Sequence, residues 1–70
     1  MVIKDFTKPE LDLLRQSCNF VGSEETLFEL RSRGVPLEEI AEVLNMSVEG
    51  IKKISRKVNS KIDKVLYKVV

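Results

Sequence analysis

The feature that most constrains the fold is a long apolar stripe in the last third of the chain. At 100° per residue, six apolar side chains fall within a stripe roughly 80° wide. They are Ile51, Ile54, Val58, Ile62, Val65 and Val69. The opposite side carries Glu49, Lys52, Lys53, Arg56 and Ser60. This pattern predicts an amphipathic helix at about 48–67, which must pack its apolar side against other elements.

End signals predict a first helix at about 8–18. Thr7 stands at the N-cap, and Glu10 occupies the capping-box position three residues later. The predicted buried side is Leu11, Leu14 and Cys18, with Phe6 stapling the entry. Cys18 is the only cysteine, so no disulfide can form within the chain. We expect a buried core thiol and a reducing, cytoplasmic location.

Two shorter helices are predicted in the middle of the chain. The first covers about 24–33, with Ser23 as its cap and Gly34 at its end. Its buried side is Leu27, Phe28 and Leu30. The second covers 37–44, where Pro36 presets the first turn. Its buried face is Leu37, Ile40, Ala41 and Leu44.

The four segments predict an all-α fold, a compact four-helix bundle. Seventy residues make one domain, 1–70, whose core contributes only a few kcal/mol. No apolar run approaches the length of a membrane span, and no secretory signal is present. We therefore expect no membrane partner.

The composition argues against an enzyme. The chain has no histidine, so a Ser-His or Cys-His catalytic pair cannot exist. A zinc site would need several carboxylates arranged by chance. No phosphate-binding loop or dinucleotide fingerprint occurs. We expect no catalytic residue, metal, cofactor or small-molecule substrate.

Charge is distributed unevenly along the chain. Residues 1–46 carry five bases and nine acids, a balance of −4, whereas residues 47–70 carry seven bases and two acids, a balance of +5. Such asymmetry suggests a nucleic-acid surface at one end of the molecule. The alternative is a solvated, lysine-rich helix face. Charge alone does not choose between the two.

The segment "LEEIAEVLNMSVEGIKKI" has the spacing of a helix-turn-helix motif, at 37–57. Such a motif needs a small residue where its two helices touch, here Ala41, and a short turn. Apolar residues flank the contact: Ile40 and Leu44 on the first helix, Ile51 and Ile54 on the second. Asn45, Met46 and Ser47 form the turn, with Met46 predicted to point inward.

The longer segment "GVPLEEIAEVLNMSVEGIKKISRKVNSKI" resembles the helix-turn-helix of LuxR-type response regulators and of region 4 in bacterial sigma factors. The resemblance covers roughly residues 23–66, so the first helix, within 1–20, is an addition. It implies a bacterial or mobile-element transcriptional regulator that binds specific sites in duplex DNA. By position it implies DNA contacts at Glu49, Gly50, Lys52 and Lys53.

This chain departs from the family pattern at three positions. Asn45 replaces the usual turn glycine, and asparagine enters left-handed conformations relatively easily. Pro36 replaces a capping serine or threonine. Gly50 replaces a residue that is often threonine, so base preference cannot be inherited from the family.

Charge and reach suggest a role for each candidate DNA-binding residue. Lys52, Lys53 and Arg56 could meet phosphates or base edges, and Lys57 a flanking phosphate. Arg56 is the best candidate for a bidentate guanine contact. Glu49 could accept from a cytosine amino group or only stabilise the helix N-terminus. Ser47 could reach a phosphate, although capping alone explains it.

Two questions of partnership stay open. The C-terminal stripe predicts a homodimer through Ile62, Val65, Leu66 and Val69, with Tyr67 at its rim. Alternatively, the stripe docks on Leu11 and Leu14 of the same chain. A different class of function is a protein-interaction adaptor, for example with RNA polymerase, through the acidic third helix or this stripe. The DNA target, activation or repression, any effector, and a packaging or recombination role are not specified by the sequence.

Overall fold

The chain folds into four α-helices in a computed structural model, which describes residues 6–67 and the side chains of 6–66. The helices are α1 (Lys8–Ser17), α2 (Ser23–Ser32), α3 (Leu37–Leu44) and α4 (Val48–Tyr67). No strand occurs in this part of the chain. The predicted all-α four-helix fold is confirmed, and each helix end lies within one residue of its prediction.

The long helix α4 is the centre of the fold. It contacts each of the other three helices, and α2 also packs against α3. The buried core is Leu14, Cys18, Leu27, Phe28, Ile40, Ala41, Ile51, Val58 and Ile62. All nine were predicted to be on buried faces. The other three helices therefore pack around α4, whose apolar stripe was predicted to pack against other elements.

The start of α1 is held by the predicted capping box. The backbone N–H of Glu10 donates to Thr7 Oγ1 at 3.4 Å, and the Thr7 N–H donates to Glu10 Oε1 at 2.8 Å. Phe6 and Leu11 are half-buried against the core, while Leu14 is fully buried. α1 is thus a fixed part of the domain, docked on α4.

The start of α2 differs from the prediction. Ser23 was predicted to cap this helix, but it is the first helical residue, and Gly22 is the N-cap with φ of 55°. The left-handed conformation of Gly22 turns the chain into the helix one residue early. No side chain caps the helix, although the Glu24 carboxylate accepts from the Val21 N–H, just before the N-cap, at 3.3 Å. At the other end Gly34 has φ of 85°, as expected for a terminating glycine.

Two groups of ion pairs join the helices at the surface. Arg15 on α1 donates to both carboxylate oxygens of Glu29 on α2, at 2.6 and 2.8 Å, and to Asp12 at 2.7 Å. Lys61 on α4 pairs with Glu24 on α2 and donates to the Asn19 carbonyl at 2.6 Å. The hydrogen bond from Lys61 lowers the pKa of Glu24, and that from Arg15 lowers the pKa of Glu29.

Cys18 confirms the prediction of a core thiol. Its side chain is buried, and Sγ donates to the carbonyl of Lys61 at 3.6 Å. Burial raises the pKa of the thiol, because the charged thiolate is poorly solvated there.

The described part of the C-terminal stripe, Ile62, Val65 and Leu66, packs within its own chain. Ile62 is fully buried, and Val65 and Leu66 are partly buried against the core. Ile62 is therefore not available to a second copy, because its own chain already covers it. Val69 and the side chain of Tyr67 lie outside the described residues. Among residues 6–67, no helix combines the length and apolar character needed to cross a bilayer.

Candidate nucleic-acid interface

A tight three-residue turn joins α3 to α4. Asn45 has φ of 54° and ψ of 47°, the left-handed conformation that the sequence predicted for this position. The Met46 N–H donates to the Ala41 carbonyl at 2.9 Å, and the Asn45 N–H to that of Glu42 at 3.2 Å. These bonds satisfy carbonyls at the end of α3 and fix the direction in which the chain leaves it.

Ser47 caps α4. Its hydroxyl accepts from the Gly50 N–H at 3.1 Å, and its carbonyl accepts from the Ile51 N–H at 3.0 Å. The capping role proposed from the sequence is therefore present in the structure. A contact from Ser47 to phosphate stays a prediction.

Ala41 is a small buried residue on α3, the helix that packs against α4. Ala41 is only 4% exposed, and the neighbouring Ile40 and Ile51 are fully buried. Leu44 and Ile54 pack partly buried around them. A small residue with apolar neighbours is the arrangement that the motif requires. The helix-turn-helix assignment itself stays a prediction.

The prediction that Met46 points inward is wrong. Its side chain is 37% exposed, and its Cε lies 3.2 Å from the position that a Cβ on Gly50 would occupy. Met46 instead lies over the space that the missing side chain of Gly50 leaves open. Gly50 is thus partly covered on the first turn of α4.

Four basic residues form an exposed surface on the first half of α4, which we call the basic ridge. They are Lys52, Lys53, Arg56 and Lys57, all exposed. Lys52, Lys53 and Arg56 lie on the solvent side that the helical wheel predicted, and Lys57 is also exposed. They share one helix, so their relative positions are set by α4 alone.

The charges of the basic ridge are weakly compensated in the free chain. Lys52 Nζ lies 3.9 Å from Glu49 Oε1, and the two side chains are 51% and 82% exposed. Among the described residues, no carboxylate lies within 4.0 Å of Lys53, Arg56 or Lys57. Like charges four residues apart on a helix repel by about 0.2–0.5 kcal/mol per pair. A bound polyanion would relieve this repulsion.

The acidic residues of α3 lie apart from the basic ridge in sequence and on a different helix. Glu38, Glu39 and Glu42 are all exposed, and α3 carries no base. The segregation of charge inferred from the sequence is therefore also a segregation between two adjacent helices. α4 is the helix that can present positive charge to a polyanion.

Two lysines farther along α4 were not among the residues predicted to contact DNA. Lys61 is tied to α2 by Glu24 and by the Asn19 carbonyl, so its charge is used within the fold. Lys64 is exposed and lies seven residues after Lys57, a spacing that returns to nearly the same side of the helix. This spacing was the sequence signal for a longer basic surface.

A second candidate location is an open cavity of about 380 Å³ between α1 and α2. Its charged lining includes Arg15 and Glu29, which already pair with each other. The described residues contain no group of three or more potential metal-ligating side chains. Of the charged lining residues, Glu25 makes no ion pair with a described residue and is exposed to solvent.

Comparisons with known protein families, curated protein sequences and solved structures give no match to this chain.

Proposed function

We propose that this chain is a small cytoplasmic helix-turn-helix protein that binds specific sites in duplex DNA as a bacterial or mobile-element transcriptional regulator. The observation that supports it best is the basic ridge: four exposed cations on one helix, only one of them near a described carboxylate. The short turn at Asn45 and the buried Ala41 contact supply the supporting scaffold. Nucleic-acid phosphates are the polyanion that best fits such a ridge.

The dimensions of α4 suit the DNA major groove. An α-helix with its side chains is about 10–12 Å across, and the groove is about 12 Å wide. In the proposed complex Lys52, Lys53 and Lys57 neutralise phosphates. Arg56 donates two hydrogen bonds to one guanine, because its planar group matches the two acceptors of that base. Specificity then depends mainly on Arg56, since Gly50 has no side chain to contribute.

The proposal is tested by the salt dependence of binding to mixed-sequence duplex DNA. On mixed-sequence DNA Arg56 contacts a phosphate instead of a guanine, so the basic ridge makes four phosphate contacts. Four contacts imply a slope of log K against log salt of about −3.6. The double variant Lys52→Ala/Lys53→Ala should flatten the slope by about 1.8, because two contacts are lost. Both side chains are exposed, so the helical circular-dichroism signal should not change.

A matched control is Lys8→Ala, which removes one exposed positive charge from α1. It should leave the slope unchanged. Absence of binding at low salt would reject the proposal, and so would identical curves for the wild type and the double variant. If binding follows the prediction, selection from a random duplex pool would identify the preferred site, and Arg56→Ala should weaken that preference.

A second candidate function is a protein-interaction adaptor, for example with RNA polymerase. Val43 on α3 is 65% exposed, and Met46 and Val48 at the turn are also exposed. These apolar side chains follow the exposed carboxylates of α3 in sequence. A partner that binds here should lose affinity with Val43→Ser, whereas DNA binding should not change. The two functions are thus separable by one substitution.

The homodimer also stays a proposal. It depends on Val65, Leu66 and Val69, since Ile62 is buried within its own chain. Helix-turn-helix dimers bind two half-sites about one helical turn apart. Light scattering of the protein at several concentrations would show a second copy if this surface associates.

A further inference from the structure

Lysines continue along one side of α4 beyond the basic ridge. At 100° per residue, Lys53, Lys57 and Lys64 fall within a sector of about 40°. We call these three exposed residues the lysine row. The two acids of α4, Glu49 and Asp63, fall outside this sector, on the side that carries Lys52 and Arg56. The lysine row therefore contains positive charge only.

The neighbouring fold leaves the lysine row available to a ligand. Glu24 is the carboxylate of α2 near this side of α4, and it is held by Lys61. The hydrogen bond from Lys61 is the main cause of its lowered pKa, and the charge of Lys57 contributes a little. Because Lys61 already neutralises Glu24, that carboxylate opposes an approaching phosphate only weakly. No described carboxylate lies within 4.0 Å of Lys57 or Lys64.

The lysine row runs parallel to the axis of α4. When α4 lies lengthwise in the major groove, a row on one side of the helix faces one of the two phosphate strands. Lys57 and Lys64 are seven residues apart, which corresponds to roughly 10.5 Å along a helix. Phosphates recur along one strand about every 3.4 Å of duplex axis, and flexible lysine side chains adjust to their positions. Asp63 would repel phosphates on the other side of α4, so favourable contacts there end near Arg56.

We propose that Lys64 contacts a phosphate on the same strand as Lys57, farther along the major groove. The inference rests on the proposed DNA binding and extends it, because it carries the phosphate contacts into the C-terminal half of α4. It adds a fifth phosphate contact to the four of the basic ridge. The salt slope of the wild-type protein should then be about −4.5 instead of −3.6.

The test is the salt slope of Lys64→Ala on mixed-sequence duplex DNA. The variant should return the slope to about −3.6, with the wild-type circular-dichroism spectrum. Lys64→Arg should keep the wild-type slope, because it preserves the charge. Lys8→Ala, which loses the same charge from α1, should also keep it.

A relocation variant separates position from charge. Ser60→Lys/Lys64→Ala has the wild-type net charge, but its lysine lies only three residues after Lys57, roughly 4.5 Å along the helix. If the phosphate contact depends on the position of Lys64, this variant should retain the reduced slope. A restored slope would overturn the inference, because any nearby charge would then suffice.

The remaining outcomes also discriminate. If the Lys52→Ala/Lys53→Ala variant flattens the slope and Lys64→Ala does not, DNA binding stands and this inference fails. If the wild-type protein shows no salt-dependent binding, both fail together.

Discussion

Asn45 determines how α3 and α4 are joined. It is the only described non-glycine residue with positive φ. Left-handed backbone costs most L-residues about 1–2 kcal/mol, but asparagine less. We therefore expect Asn45→Ala to destabilise the fold by about 1 kcal/mol and Asn45→Gly to be neutral or slightly stabilising. Urea unfolding of both variants would measure this, and equal destabilisation by the two would contradict it.

At the scale of elements, the contact between α2 and α4 includes an ion pair that is far better covered than a surface pair. The Lys61 and Glu24 side chains are 32% and 13% exposed, and Lys61 also binds the Asn19 carbonyl. Exposed pairs contribute about 0.2–1 kcal/mol. Lys61→Met should lower the free energy of unfolding by more than this range, because it leaves the covered carboxylate of Glu24 without its partner. Chemical denaturation would measure the change in the free energy of unfolding.

The fold provides a matched control for this pair on the same helix. Lys52 and Glu49 are separated by 3.9 Å, and both side chains are largely exposed. Lys52→Met should therefore change the free energy of unfolding by less than about 0.5 kcal/mol. If the Lys61 and Lys52 variants are destabilised equally, coverage by the fold does not strengthen the α2–α4 pair.

At the scale of the whole molecule, Glu24 and Glu29 make stability depend on pH. Their partners, Lys61 and Arg15, lower the pKa of each carboxyl in the folded chain. A lowered folded pKa contributes stability above the ordinary glutamate pKa of about 4.3, and this is lost as pH falls through the folded pKa. Thermal unfolding should thus show a falling midpoint below about pH 4.3.

The double variant Glu24→Gln/Glu29→Gln identifies the groups responsible. It should be less stable at neutral pH and should lose less stability on acidification than the wild type. Glu38→Gln is the control, since Glu38 is exposed and makes no ion pair with a described residue. An unchanged acid response in the double variant would show that other groups control it.

The sequence by itself determined the local structure of this protein. Thr7 with Glu10, Gly34 and Asn45 specify helix ends through bonds and dihedral angles within a few residues, so their patterns can be recognised without the fold. The periodicity of α4 also determined which side is buried and which side carries the basic ridge. These features depend on the geometry of one helix and its ends, which neighbours modify little.

Tertiary structure decided what depends on residues far apart in the chain. Lys61 lies 37 residues from Glu24, and Arg15 lies 14 residues from Glu29, so neither pairing has a sequence signal. Met46 is exposed at the turn, and Ile62 is covered by its own chain. Periodicity marks a side chain as apolar and inward-facing, but only packing decides which neighbours cover it. Packing also pairs Lys61 with Glu24. It leaves the three lysines of the lysine row without a described carboxylate within 4.0 Å.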